Sequence, residues 1–72
     1  MSSWSLKRFT KDMCEEIANN PQRYDSQDLR QAIRCAELHY QDDDYGCDVE
    51  WMTNICLKCN DELRNRGERP DW

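Results

Sequence analysis

Five cysteines and a single histidine are the residues of this 72-residue chain best equipped for chemistry. Cys35-x3-His39 and Cys56-x2-Cys59 each place two soft ligands on adjacent helical turns, and thiolate and imidazole are donors that suit tetrahedral zinc. Two such pairs on neighbouring helices could staple a small domain. The placement argues the other way. Zinc knuckles seat a pair in a turn, whereas here both pairs fall within helices, and Cys56 and Cys59 lie on an apolar face. The expectation is therefore no bound metal and no other cofactor, with the thiols acting as small, readily buried hydrophobes. Redox catalysis by Cys56-x2-Cys59 meets a similar objection, because a reactive pair sits at a helix N-terminus after a strand, where the dipole lowers a thiol pKa. His39 has no nucleophile motif beside it, and two isolated glycines cannot cradle a phosphate chain. The chain is expected not to be an enzyme.

Cysteine usage also bears on compartment. Five is an odd number for a secreted disulfide framework, and the opening Met-Ser-Ser-Trp-Ser-Leu-Lys-Arg-Phe contains no apolar run. No stretch is apolar enough to span a membrane. A reducing cytoplasm with free thiols is the expected setting.

The most distinctive local feature is the run Gln41-Asp42-Asp43-Asp44-Tyr45-Gly46-Cys47-Asp48. It does not keep the alternating ligand register, closed by a late glutamate, that a calcium loop requires. The reading preferred from sequence is a solvated turn whose last carboxylate caps the next helix. The alternative is a phosphate mimic offered to a basic groove, in keeping with ten basic against fifteen acidic side chains and a net charge of −5. The same balance disfavours direct nucleic-acid binding, which needs clustered cations. Such clusters occur only near the two ends, as Lys7, Arg8 and Lys11 and as Lys58, Arg64, Arg66 and Arg69. The second is explained by cations complementing the negative end of a helix.

These residues need elements to position them. Pro21, Gly46, Gly67 and Pro70 divide the chain into three segments. The first helix is expected over about 5–18, with Leu6, Phe9, Met13 and Ile17 on one stripe. Asp12 and Glu15 form a capping pair that would permit a start near residue 12. The second runs over about 26–41, capped by Asp25 or Ser26, with Leu29, Ile33, Ala36 and Tyr40 as its main face and Arg30, Arg34 and Glu37 as a solvated strip. The third runs over about 48–65, capped by Asp48, with Trp51, Met52, Ile55, Cys56, Cys59 and Leu63 inward. Residues 66–72 are expected to be a flexible tail. The fold class is all-α: one small three-helix unit with short connections over 1–72.

A domain of this size buries only about 60% of its unfolded surface and usually needs reinforcement. Cys35, Leu38 and His39 extend the weakly polar surface of the second helix beyond what one neighbour can cover, so a homodimer is expected to bury that flank. Trp4, Tyr24, Tyr45 and Trp72 fall at segment edges, where they serve either as packing lids or as interface anchors. The function expected is protein–protein binding by a small acidic regulatory or accessory module, using Cys35, Leu38, His39 and the loop residues Asp42, Asp43, Asp44 and Tyr45. The alternatives are a metal-stabilised nucleic-acid-associated domain and an acidic inhibitor of a nucleic-acid-binding enzyme, of the kind compact phage accessory proteins provide.

Overall fold

A computed structural model describes residues 8–72. Those residues form three α-helices, α1 (Lys11–Asn19), α2 (Ser26–Gln41) and α3 (Val49–Asn65), with a short 3-10 turn at Pro21–Arg23 and no strand. Each α-helix begins at a side chain that accepts a hydrogen bond from an amide left free by the first turn. Thr10 Oγ1 accepts from the Met13 amide at 3.2 Å, Asp25 Oδ1 from Asp28 at 2.9 Å, and Asp48 Oδ1 from Trp51 at 2.8 Å. The second and third caps are those expected. For the first, the alternative of a later start near residue 12 holds in place of a start near residue 5, since α1 begins at Lys11 and residues 8–10 are not helical, but its cap is Thr10 and Asp12 falls in its first turn. Those three residues are engaged elsewhere: the Phe9 amide donates to Cys35 Sγ and the Phe9 carbonyl accepts from His39.

The later start rotates the buried stripe. Cys14, Ile17 and Ala18 face the core, whereas Met13, expected inward, is 38% exposed. A stripe running Phe9-Met13-Ile17 would require Phe9 to be helical. Leu6, Lys7 and Trp4 lie outside the described residues.

Helix α2 is central, packing against both α1 and α3, while α1 also touches α3. Leu29, Ile33 and Ala36 are buried as expected, together with Ala32 and Cys35, but Tyr40 is exposed. From α3 come Ile55, Cys56, Cys59 and Leu63, and Phe9, Tyr24, Trp51 and Met52 close the core from outside. Full burial of an Ile or Leu side chain stabilises by about 1.5–3 kcal/mol, so Ile17, Leu29, Ile33, Ile55 and Leu63 carry much of the apolar drive.

Both long helices end in the same way. In α3 the Gly67 amide donates to the Arg64 carbonyl and the Glu68 amide to the Leu63 carbonyl, with Gly67 at φ 76°. In α2 the Asp43 amide donates to Tyr40 and the Asp44 amide to His39, with Asp43 at φ 56°. These paired bonds are the Schellman closure, which places one left-handed residue after the helix. Arg66 then ties the end of α3 to the chain between α1 and α2, donating to Glu62, Ser26 Oγ and the carbonyls of Pro21 and Tyr24.

The 66–72 segment, expected to be a flexible tail, lies along α2 and α3. Arg30 donates to the Arg69 carbonyl at 2.7 Å and pairs with Glu68 and Asp71, and Trp72 Nε1 donates to Glu37. The strip of Arg30, Arg34 and Glu37 is thus a seat for the tail instead of a purely solvated face.

Candidate protein-binding surface

The connection between α2 and α3 is built from the end of one helix, one tight turn and the cap of the next. After the left-handed Asp43, the Cys47 amide donates to the Asp44 carbonyl at 2.9 Å, closing a four-residue turn with Tyr45 and Gly46 at its tip. Gly46 has φ 79°, as the third position of a type II turn requires. A Cβ there would also come within 3.1 Å of Lys11 Cε, so this glycine serves close approach as well as conformation.

Side chains pin the connection at several points. Cys47 is buried, Asp44 Oδ2 meets His39 Nδ1 at 2.5 Å, Arg8 donates to Asp42 at 2.7 Å, and Asp48 is occupied as the cap of α3. Below it, Lys11 lies 6.0 Å from the Trp51 ring centroid and donates to Glu15, which also accepts from Trp51 Nε1 at 2.8 Å. The bonds from Lys11 and then Trp51 hold the Glu15 carboxyl below its usual range. Within Asp42–Asp48, the exposed side chains of Asp43 and Tyr45 make no hydrogen bond or ion pair with the described residues. Tyr45 is 99% exposed, and Val49 is exposed one residue beyond the cap.

His39 is a structural linker in this arrangement. Its Nε2 donates to the Phe9 carbonyl at 2.8 Å, its Nδ1 faces Asp44, and its ring meets Trp51 edge-on with centroids 6.1 Å apart. Both ring nitrogens are therefore engaged within the fold. Cys35 is likewise buried, its sulfur accepting from the Phe9 amide at 3.4 Å. Of the three residues expected to form a dimer flank, only Leu38 is exposed, at 43%, beside an open groove lined by Arg8, Gln31, Arg34 and Gln41 among others. The amphipathic count was sound for Cys35 and His39, but the chain's own residues 8–9 cover them.

The proposed zinc ligands are not brought together. Among the described residues no group of three or more His, Cys, Asp or Glu side chains is placed to hold a metal ion. All five cysteines are free and buried. Burial pushes the thiols of Cys14 and Cys56 up to about 12 and that of Cys59 up to about 11, the reverse of activation. Cys56 instead donates to the Ile33 carbonyl at 3.8 Å and Cys14 to the Ala32 carbonyl at 3.9 Å. No described helix is long and apolar enough to cross a membrane.

Two residues of consequence escaped the sequence reading. Arg66 was read only as a dipole-compensating cation, although Glu62 four residues earlier was a visible partner. Asn60 was passed over entirely, and it is buried at 4% exposure. Its signal was present, since it stands four residues after Cys56 and three before Leu63, at an inward position.

The chain matches no protein-family model, no curated protein and no solved structure.

Proposed function

We propose that this is a non-enzymatic binding module that engages a basic protein surface through the Asp42–Asp48 connection, with Tyr45 as its apolar anchor. The observation that carries the reading is the full exposure of Tyr45 on a turn fastened at both ends. Tyrosine is a preferred interface hot spot, and a segment already fixed in its bound shape loses little further conformational freedom on association. Asp43 supports the same reading. It is the only described residue other than glycine with positive φ, at a position where glycine would be the less strained choice, and its side chain is spent on no contact within the fold. A carboxylate retained there serves the surface rather than the core.

Asp42, Asp43, Asp44, Asp48 and Glu50 stand within five residues of the tyrosine in sequence, Asp42 and Asp44 partly offset by Arg8, and the whole chain carries −5. Such a rim speeds encounter with a cationic partner and opposes anionic ones. A groove that ordinarily holds nucleic-acid phosphates has the matching charge, which makes a nucleic-acid-binding protein the specific form of this proposal. The self-association expected through Cys35, Leu38 and His39 takes no part in it, because two of those residues lie in the interior.

The test is affinity capture from the source cell with the wild-type chain and with Tyr45→Ala. A specific partner should be retained by the first, be released by raised salt, and bind the variant about 30-fold more weakly, the loss that accompanies a hot-spot residue. A partner bound equally by both would overturn the assignment of Tyr45.

A further inference from the structure

Asn60 is a buried polar side chain whose recorded hydrogen bonds all go to the tail. Its Oδ1 accepts from the Asp71 amide at 2.9 Å and the Trp72 amide at 3.3 Å, and its Nδ2 donates to the Trp72 carbonyl at 3.3 Å. Around it stand side chains that read the same two residues. Arg30 and Arg34 face the Asp71 carboxylate at 3.6 and 3.7 Å, and Glu37 accepts from the Trp72 indole at 3.1 Å. Backbone is read at the centre, an acid on one side and an indole on the other. That is the division of labour in extended-peptide recognition, where main-chain bonds give affinity and side-chain contacts give specificity.

Without an occupant the Asn60 amide loses all three of these hydrogen bonds. The occupant is joined to α3 only through the exposed residues Gly67, Glu68, Arg69 and Pro70, the first in a left-handed conformation. The bonds to Asn60, Arg34 and Glu37 are made by Asp71 and Trp72 alone, whereas Glu68 and Arg69 within the connection also bond to Arg30 and Ser26 and must release those contacts on exchange. An identical segment from another molecule would make the same bonds, which is the condition under which exchange of an element between copies is cheap.

We propose that the face formed by Asn60, Arg30, Arg34 and Glu37 is a peptide-reading site, and that a second copy of the chain can fill it with its own Asp71-Trp72, giving a tail-exchanged homodimer. Four connecting residues span at most roughly 14 Å, so the two copies must bring the ends of their α3 helices together. The tethered tail competes at an effective concentration on the order of millimolar, so exchange in the unaltered chain appears only as protein concentration approaches that range. The inference uses none of the residues of the acidic connection and stands or falls separately from it.

Complementation between two full-length variants tests it. Asp71→Ala/Trp72→Ala keeps the site and loses the ligand, while Asn60→Ala keeps the ligand and loses the site. Each alone should sediment as a monomer, and their mixture should form a one-to-one dimer. A peptide of residues 66–72 should displace that dimer and shift the Asn60 side-chain amide resonances of the first variant, with Arg34→Ala in that variant weakening the peptide about tenfold. Should Asn60→Ala fail to fold, Arg30→Ala/Arg34→Ala disables the site from the surface instead. Tyr45→Ala and Leu38→Glu should leave the exchange unchanged. If the folded variants remain monomeric when mixed, and the peptide moves no Asn60 resonance at millimolar concentration, the site is not a peptide reader. If the mixture dimerises but Leu38→Glu abolishes the dimer, the seam runs through Leu38 and tail exchange is refuted.

Discussion

Burial sets the chemistry of the cysteine side chains. The thiols of Cys14, Cys56 and Cys59 are held at about 12, about 12 and about 11 against an ordinary 9.0, with burial as the first cause in each. A raised folded-state value means that the native chain holds its thiol protons more tightly than the unfolded one. Stability from this source is therefore complete below about pH 9 and is lost as pH rises through 9 towards 12. The melting temperature should fall over that window, and at pH 8 alkylation of these thiols should proceed only as fast as the chain unfolds. Rapid labelling of folded protein would contradict the burial described above. The sequence supported the inert reading of Cys56 and Cys59, because they fell on an apolar face, whereas Cys14 lay off the stripe read for the first helix. It could not show that Cys35 and His39 would be covered by residues 8–9, a contact between positions nearly thirty apart that leaves no periodic trace.

At the scale of elements, helix-local signals were legible and long-range ones were not. Asp25, Asp48 and Gly67 announce helix ends by their own chemistry, so the bounds of α2 and α3 followed from residue type and spacing. Thr10 was not considered as a cap in the sequence reading, which named only the Asp12–Glu15 pair. What separates them is the Phe9 backbone, held by α2 and therefore unable to continue a helix. The tail was read as free because Arg30, Arg34 and Glu37 are ordinary surface residues until Asp71 and Trp72 arrive beside them. The inward assignments of Ile33 and Ile55 hold, at 1% and 2% exposure, and they carry a prediction. Ile33→Ala and Ile55→Ala should each cost about 2–5 kcal/mol by lost transfer energy and the cavity left behind. Denaturant unfolding monitored by circular dichroism measures this, and an unchanged midpoint in both would refute the packing of α2 on α3.

At the scale of the whole molecule the chain is a small helical frame whose α2–α3 connection is fastened at both ends, and it is this connection that the function proposed above has a partner meet. Fold class was legible from three apolar periodicities, and the acidic run stood out by composition. Tyr45 stood there as either a packing lid or an interface anchor, and the left-handed aspartate did not stand out, because a solvated turn and a presented turn share one sequence. The two differ in what Asp43 is for. Occupying a left-handed conformation costs a non-glycine residue about 1–2 kcal/mol, somewhat less for aspartate, so Asp43→Gly should stabilise the chain by up to about 1 kcal/mol. In a domain this small that raises the melting temperature by about 4–8 °C. The direct test is to measure, for Asp43→Gly, both its melting temperature and its affinity for the captured partner. The expected result is a more stable protein that binds several-fold more weakly, with the loss shrinking as salt is added. A more stable protein with undiminished affinity would contradict it, leaving the acidic connection as a solvated turn and the partner surface elsewhere.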